Sequence, residues 1–287
     1  MSGKMLAYLQ LTKPRISLLF AITGLTAILM EGSLLSHPLR IAALVLAIFM
    51  VGGSANAFNQ YFEREIDKQM KRTAKKRPLP RGIITPRSAL VFSISVGVIG
   101  TLSLFILGGG LAAIFGLATI LYYSFYYTLW LKPRTPYNIV IGGAAGAMGP
   151  LIGWAAASGG VDWIPFILFL IVFMWTPPHF WALALCCKED YEKVSLPMLP
   201  VVAGEEVTRR YIILYSLLLV PLTLSLYFFK GVGELYLGVA FILGALFIAG
   251  SFWIHRKKTI QSYWAFFGFS IAYLLLLFIA LIFDTLL

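Results

Sequence analysis

Three polar side chains at the end of one apolar segment could hold a divalent metal ion. Asn59, Glu63 and Asp67 follow one another at intervals of four residues. A helix through them would stack all three on one face, with Cβ atoms about 5 to 6 Å apart. Two carboxylates so placed repel each other unless a cation lies between them. Because Mg²⁺ prefers oxygen ligands and often bridges to substrate phosphates, the spacing predicts a magnesium site.

A basic cluster lies within ten residues after Asp67 and suits a diphosphate. Its members are Lys71, Arg72, Lys75, Lys76 and Arg77. Metal-binding oxygens beside so many cations form a receptor for a metal-diphosphate. Two simpler interpretations stay open. The acids could end a solvated helix and pair with Arg64, Lys68 or Lys71, and the bases could form a topogenic, lipid-facing patch.

A second acidic helix end lies about 120 residues further on and resembles the first. Asp190 closes an apolar segment and is followed by Pro197 and Pro200, just as Pro78 and Pro80 follow the first cluster. This hints at a weak internal repeat that would bring the two acidic ends face to face.

Aromatic and histidine side chains within the apolar segments are candidates for substrate contact. His179 follows two prolines, which remove backbone donors and are expected to kink a membrane helix. Its ring, with Trp181 nearby, could contact a flat ligand or transfer a proton. Alternatively, His179 could simply form a hydrogen bond between two helices. Tyr122 and Tyr126 share a helical face and could line a cavity mouth or form an interfacial belt.

The elements that position these residues are membrane helices. Of 287 residues, 60% are hydrophobic and 12% charged, about half the charge of a soluble domain, which excludes a soluble enzyme. The uncharged runs are 16–30, 41–62, 88–131, 135–161, 163–187, 211–229, 235–255 and 259–283. The run 88–131 is long enough for two crossings, with a break at Gly108, Gly109 and Gly110. We therefore predict an all-α fold of nine transmembrane helices around a central cavity, forming one domain over residues 1–287.

The distribution of Lys and Arg between the two sides of the membrane predicts the orientation of the chain. Of 23 Lys and Arg, 21 fall on the side of the N-terminus and only Arg40 and Lys230 on the other, so the N-terminus is predicted to be cytoplasmic and the C-terminus outside. Eight of 12 acids lie on that cytoplasmic side, in the two loops at about 63–87 and 188–210. Because no signal or transit peptide is apparent, we expect the plasma (inner) membrane of a bacterium.

Several motifs, taken in order, resemble those of the UbiA-type intramembrane prenyltransferases. Asn59-x3-Glu63-x3-Asp67 with Arg77-Pro78-Leu79 is similar to their aspartate-rich motif, although Glu63 stands where Asp is usual. The segments 131–143, 176–181 and 190–200 resemble the branch that farnesylates haem. The resemblance implies transfer of the farnesyl group of farnesyl diphosphate to a vinyl group of haem B, with Mg²⁺ as cofactor, giving haem O for terminal oxidases.

The same resemblance implies roles for individual residues. Asn59, Glu63 and Asp67 would form the first metal-diphosphate site and Asp190 the second, with Glu63 acting directly or through water. Positions expected near the diphosphate are Arg72, Arg77, Lys132, Arg134 and Asn138. His179 and Trp181 match the segment that distinguishes the haem-using members.

Two other functions stay open at this stage. One is a UbiA-type prenyltransferase acting on a quinone or chlorophyll precursor. The other is a secondary transporter, in which weak repeats and broken helices are common, although transporters usually place their acids near the bilayer midplane. The expected partners are the two substrates and the lipid bilayer, with no nucleic acid. A haem A synthase or a terminal oxidase is a candidate for receiving the product.

Overall fold

The computed structural model describes residues 3–229 and 231–287, and these residues form helices and no strand. The helices are α1 (Gly3–Leu11), α2 (Pro14–Glu31), α3 (Pro38–Phe62), α4 (Arg64–Gln69), α5 (Lys71–Ala74), α6 (Pro86–Leu121), α7 (Asn138–Gly146), α8 (Gly149–Ser158), α9 (Trp163–Cys186), α10 (Lys188–Lys193), α11 (Leu199–Val202), α12 (Gly204–Ser225), α13 (Glu234–Lys257) and α14 (Ile260–Leu286). A π-helical segment, Tyr122–Leu131, continues α6, and a 3-10 turn, Leu226–Phe228, follows α12. Lys230, one of the two bases predicted on the outer side, lies outside the described residues.

Eight helices in the described part of the chain are long and apolar enough to cross a membrane. They are Pro14–Glu31, Pro38–Phe62, Pro86–Leu131, Asn138–Ser158, Trp163–Cys186, Gly204–Phe228, Glu234–Lys257 and Ile260–Leu286. Each contains one of the uncharged runs of the sequence, or most of it. The prediction of an all-α membrane protein is therefore confirmed.

The longest of these helices, Pro86–Leu131, is interrupted where the sequence predicts a break. Gly109 has φ 83° and ψ 176°, a conformation that only glycine adopts without strain. The guanidinium of Arg40 donates hydrogen bonds to the carbonyl of Leu107, at 2.9 Å from Nε and 2.7 Å from Nη2. That carbonyl is thus satisfied beside the break, as apolar surroundings require.

The helices pack into a bundle in which the first and last membrane helices are neighbours. Helix α3 packs along α6, α2 packs on α3, α8 and α14, and α9 packs on α7, α12 and α14. Within α8, a Cβ on Gly153 would overlap the backbone of Gly24 on α2, so the two helices meet at backbone distance. This closed arrangement brings the ends of α3 and α9 to the same end of the bundle.

One local departure from regular α-helix was not evident from the sequence. The segment Tyr122–Leu131 is a π-helix, with the amide of Lys132 donating to the carbonyl of Tyr127 at 2.8 Å. Such segments are rare and often occur at functional sites. Conversely, α9 runs through Pro177 and Pro178 without a break. The kink expected at these prolines stays a prediction, and the continuous helix packs there on α7, α12 and α14.

Candidate active site

The acidic ladder is formed as predicted and is buried. The amide of Glu63 donates to the carbonyl of Asn59 at 3.0 Å, and the amide of Asp67 donates to that of Glu63 at 2.8 Å. The helical path therefore continues from α3 into α4, and the three side chains share one face. Each of the three side chains is buried, with Glu63 only 7% exposed. By contrast, the side chain of neighbouring Glu65 is 65% exposed.

Half-buried basic side chains hold the ladder. Lys132 and Arg77 form ion pairs with Glu63, the latter at 3.4 Å, and Arg77 also pairs closely with Asp67. Lys13 donates to Oδ1 of Asn59 at 2.8 Å. The alternative that these acids pair with Arg64, Lys68 or Lys71 is wrong, because those bases pair instead with Glu65 or Glu189.

The electrostatic balance keeps Glu63 ionised. Burial raises the pKa of Glu63, but Lys132, Arg77 and Lys13 outweigh that effect and lower its pKa to about 2. Burial also lowers the pKa of Lys13 well below its usual range, and the nearby Arg77 lowers it further. Three basic side chains thus surround the two ladder carboxylates, Glu63 and Asp67. Basic groups outnumber carboxylates here, which favours an anionic ligand.

Asp190, at the second acidic helix end, contacts the basic loop that follows the ladder. Both carboxylate oxygens of Asp190 accept hydrogen bonds from backbone amides, at 2.9 Å from Lys71 and 3.0 Å from Arg72. Asp190 is buried, whereas its neighbour Glu189 is exposed and pairs with the Lys71 side chain at 3.4 Å. The loops at 63–87 and 188–210 are therefore in direct contact, and Asp190 fixes the start of α5.

The oxygens of the ladder suit a hard divalent cation. Arg77 contacts both Glu63 and Asp67, which shows that the two carboxylates converge on one cationic group. The amide oxygen of Asn59 adds a neutral ligand on the same face. Within the described residues no three His, Cys, Asp or Glu side chains lie close enough to form a metal cluster on their own. A bound Mg²⁺ would therefore need oxygens from the substrate diphosphate as well.

The predicted diphosphate-binding residues do not all lie at the ladder. Arg77 and Lys132 lie at the ladder, and Arg72 lies beside Asp190 with its Nε buried and without a partner. Asn138 is buried near Met198, 3.8 Å from its sulfur, with its Oδ1 unpaired. Arg134 is not brought to the ladder. It is exposed, donates to the carbonyl of Trp130 at 2.8 Å and covers that ring.

The tyrosines facing the ladder are not those predicted. Tyr122 and Tyr126 pack on each other with ring centroids 5.0 Å apart, and Tyr126 is 40% exposed next to Trp130. This matches the alternative of an outward aromatic belt. Tyr123 and Tyr127 stack at 5.2 Å on the other face, close enough to Glu63 to interact with its charge. Only the π-helical geometry indicates which pair faces inward.

His179 and Trp181 point to different neighbours. His179 shares a 2.7 Å hydrogen bond with Ser270 of α14, which matches the alternative of a bond between helices. Trp181 is 1% exposed and packs edge-on against Tyr215 of α12 at 5.2 Å. Being two residues apart on a helix, they cannot contact the same face of one ligand.

Lys13 is the main residue that the sequence analysis missed as part of the site. It follows α1 and has a left-handed backbone conformation with φ 46°, which turns the chain into α2. In the sequence it is one base among many near a helix end. Only the packing of α2 against α3 brings it to Asn59.

Comparison with known proteins shows the family of this chain. The sequence pattern of the UbiA prenyltransferase family matches residues 17–282. The chain belongs to the UbiA prenyltransferase family. The resemblance of its motifs to that family is thereby confirmed, and the fold of UbiA proteins agrees with it.

Three curated relatives that are similar in sequence share one name. The chain is 45% identical to the protoheme IX farnesyltransferase of Symbiobacterium thermophilum, over 97% of this chain and 93% of the relative. It is 46% identical to the enzyme of that name from Novosphingobium aromaticivorans, with the same coverage. The identity is also 46% to that of Parvibaculum lavamentivorans, over 98% of this chain and 89% of the relative.

Solved UbiA structures share the fold. A digeranylgeranylglyceryl phosphate synthase superimposes with a TM-score of 0.78 at 22% identity, covering 99% of both chains. A UbiA homologue from Archaeoglobus fulgidus, solved with GPP and Mg²⁺, superimposes with a TM-score of 0.68 at 16% identity, covering 95% of this chain and 99% of that one.

Proposed function

We propose that this UbiA family member is an Mg²⁺-dependent protohaem IX farnesyltransferase. It transfers the farnesyl group of farnesyl diphosphate to a vinyl group of haem B and forms haem O, with a hydroxyethylfarnesyl side chain, and diphosphate. The relatives at 45–46% identity share the name protoheme IX farnesyltransferase, which supports a farnesyl donor and a haem acceptor as the substrates. The observation that carries the chemistry is the buried ladder, in which Glu63 and Asp67 meet Arg77 and Lys132.

The ladder binds the diphosphate end of the prenyl substrate. Lys13, Arg77 and Lys132 pair with protein oxygens in this structure and are the groups that would pair with diphosphate oxygens. When they do so, Glu63 and Asp67 are left to hold Mg²⁺. Held by these carboxylates, Mg²⁺ would supply positive charge to offset that of the leaving diphosphate.

Bond breaking and bond making then balance as follows. The bond between C1 of the farnesyl group and the diphosphate oxygen breaks, and its electron pair leaves with the diphosphate. The electron pair of the haem vinyl group forms a carbon–carbon bond to C1. Water adds to the resulting cation beside the porphyrin and releases a proton. The protein's cations stabilise the leaving group in surroundings of low dielectric constant.

The arrangement in the membrane follows from the same features. Since the helix Pro86–Leu131 is 46 residues long and interrupted at Gly109, we count it as two crossings, which makes nine. The chain is then one intramembrane domain around a central cavity, with a cytoplasmic N-terminus and an external C-terminus. The ladder and Asp190 stand at its cytoplasmic mouth, in a bacterial plasma membrane. Product would pass to a haem A synthase or a terminal oxidase.

The other acceptor substrates and the transporter class agree less well with the relatives and with the position of the acids. A quinone or chlorophyll precursor would need relatives of that name, whereas those compared above are protoheme IX farnesyltransferases. A transporter would place its acids near the bilayer midplane. Here Glu63 and Asp67 follow the end of α3, and Asp190 follows the end of α9.

The test is haem extraction from membranes that contain the protein. Asp67→Asn and Asp190→Asn are co-expressed with a source of haem B, and haem O is quantified by chromatography. We expect haem O from the wild type and at least about a hundredfold less from Asp67→Asn, because the amide carries no charge to hold Mg²⁺; a hundredfold corresponds to about 2.7 kcal/mol of transition-state stabilisation. Asp190→Asn should lose activity as the contact between the two loops weakens.

The matched controls are Glu65→Gln and Glu189→Gln, exposed carboxylates two residues and one residue before the tested ones. They should retain wild-type haem O formation. A wild-type protein that yields no haem O contradicts the proposed substrates. Near-normal turnover by both Asn variants contradicts the placement of the site.

A further inference from the structure

Ser270 on α14 receives two hydrogen bonds from α9. The indole Nε1 of Trp175 donates to the backbone carbonyl of Ser270 at 2.8 Å. One turn further along α9, Nδ1 of His179 lies 2.7 Å from the hydroxyl oxygen of the same serine. All three residues are buried. Two helices are therefore tied together at a single residue within the apolar part of the bundle.

This arrangement determines which nitrogen of His179 carries the proton. The hydroxyl of Ser270 donates its only hydrogen to the carbonyl of Phe267 at 2.7 Å. Its oxygen can then only accept a hydrogen bond from His179, so Nδ1 must be the protonated nitrogen. In the neutral ring Nε2 consequently keeps its lone pair.

Aromatic rings pack around the imidazole of His179. Trp175 stacks on one neighbouring side with ring centroids 4.3 Å apart and an interplanar angle of 17°, and Phe267 stacks at 4.6 Å and 21°. Phe180 contacts the ring edge-on at 5.2 Å. Among the residues that the structure describes, Nε2 has no hydrogen-bond partner, yet 7% of the surface of His179 stays exposed.

The neutral imidazole of His179 packs among aromatic rings, donates through Nδ1 and has a free Nε2. These features suit a ligand of a transition metal. Histidines that bind metals usually donate their other ring N–H to an oxygen, which sets the tautomer, fixes the ring and raises its basicity. An imidazole ligand among apolar side chains suits haem iron. His179 also lies seven residues before the end of α9, about 10 Å inside the bundle.

We propose that Nε2 of His179 is an axial ligand of the iron of the haem substrate, and that Ser270 is the positioning residue that sets its tautomer. This inference rests on the proposed function, because haem must be the acceptor. Coordination would fix the position of the porphyrin by its iron. It also explains why a histidine stands in a segment that is otherwise apolar.

The first experiment uses the unmodified protein. Wild-type protein labelled with ¹⁵N-histidine is purified in detergent, loaded with ferric protohaem and examined by electron-nuclear double resonance. A ¹⁵N hyperfine coupling from a coordinated nitrogen is expected. The chain has only three histidines. His37 and His255 lie elsewhere, beside Ser36 and Glu206 respectively, so His37→Ala and His255→Ala are matched controls that should keep the coupling.

The variants then assign the ligand and its positioning residue. His179→Ala should lose the coupling and bind protohaem at least tenfold more weakly, and added imidazole should restore a nitrogen-ligated spectrum. Ser270→Ala should keep the ligand but lower the iron–histidine stretching frequency in the ferrous state and weaken haem binding about tenfold. Ser270→Thr, which retains the hydroxyl, should restore both values.

The outcomes separate this inference from the proposed function. If the wild type produces haem O but shows no coordinated histidine nitrogen, or keeps one in His179→Ala, the iron ligand is wrong and the farnesyl transfer stands. If Ser270→Ala leaves the stretching frequency unchanged, Ser270 does not position the ligand. If the wild type produces no haem O, the proposed function itself fails.

Discussion

Neutralising Glu63 should destabilise the protein far more than neutralising Glu65, two residues away. The pKa of Glu63 falls from 4.5 to about 2, despite the opposing effect of burial, because Lys132, Arg77 and Lys13 favour its charged form. A depression of that size corresponds to roughly 3 kcal/mol of stability at neutral pH. Glu63→Gln also leaves Lys132 buried without its carboxylate. The expected loss is therefore about 3 kcal/mol or more.

The pH dependence follows from the direction of the shift. Because folding lowers the pKa of Glu63, the stabilisation is fully present above about pH 4.5, the value in the unfolded chain, and is lost as the pH falls toward 2. The difference between wild type and Glu63→Gln should shrink over that interval. Unfolding is measured by titration with sodium dodecyl sulfate in mixed micelles, followed by tryptophan fluorescence.

The control and the partner variant make the measurement specific. The exposed Glu65 pairs with Lys68 at 2.8 Å, so Glu65→Gln should cost at most about 1 kcal/mol. Adding Lys132→Met to Glu63→Gln should recover part of the loss, since it removes the unpaired cation. If Glu63→Gln unfolds within about 0.5 kcal/mol of Glu65→Gln, the buried ion-pair cluster does not exist as described.

Two further substitutions test other parts of the site. Lys13→Met should raise the KM for farnesyl diphosphate about tenfold or more, because a hydrogen bond to a charged group contributes about 1.5 to 3 kcal/mol; the exposed Lys4→Met is its control, and an unchanged KM would remove Lys13 from the site. Gly142→Ala should reduce stability by about 1 to 3 kcal/mol, since the added Cβ would overlap the ring of Tyr127. Gly146→Ala, with no neighbour within 4 Å, should be neutral, and equal unfolding curves for the two would contradict that packing.

The ladder and the membrane helices could be predicted because both depend on local order along the chain. Residues four apart share a helical face whatever surrounds them, so Asn59, Glu63 and Asp67 align as expected. An uncharged run of sufficient length must cross the membrane as a helix, since lipid offers no partner for an exposed backbone. The glycines near Gly109 likewise predict the break, because only glycine adopts that backbone conformation without strain.

The partners of these residues could not be predicted, because they come from distant segments. Lys13 and Lys132 are separated from Glu63 by 50 and 69 residues, and charge alone does not distinguish them from Arg134, which faces outward. The inward orientation of Tyr123 instead of Tyr122 depends on π-helical geometry for which the sequence has no recognisable signal.

By itself, the sequence determined that the chain lies in a membrane, that its acids gather at two helix ends, and that its motifs are those of a prenyltransferase. These properties follow from the amino-acid composition, from the helical spacing of residues and from the order of the motifs along the chain. Only the tertiary structure decided which cations neutralise the ladder, that Asp190 holds the basic loop, and that Ser270 orients His179. Helix packing decides them, because a contact between buried charges or rings depends on which faces meet and at what distance.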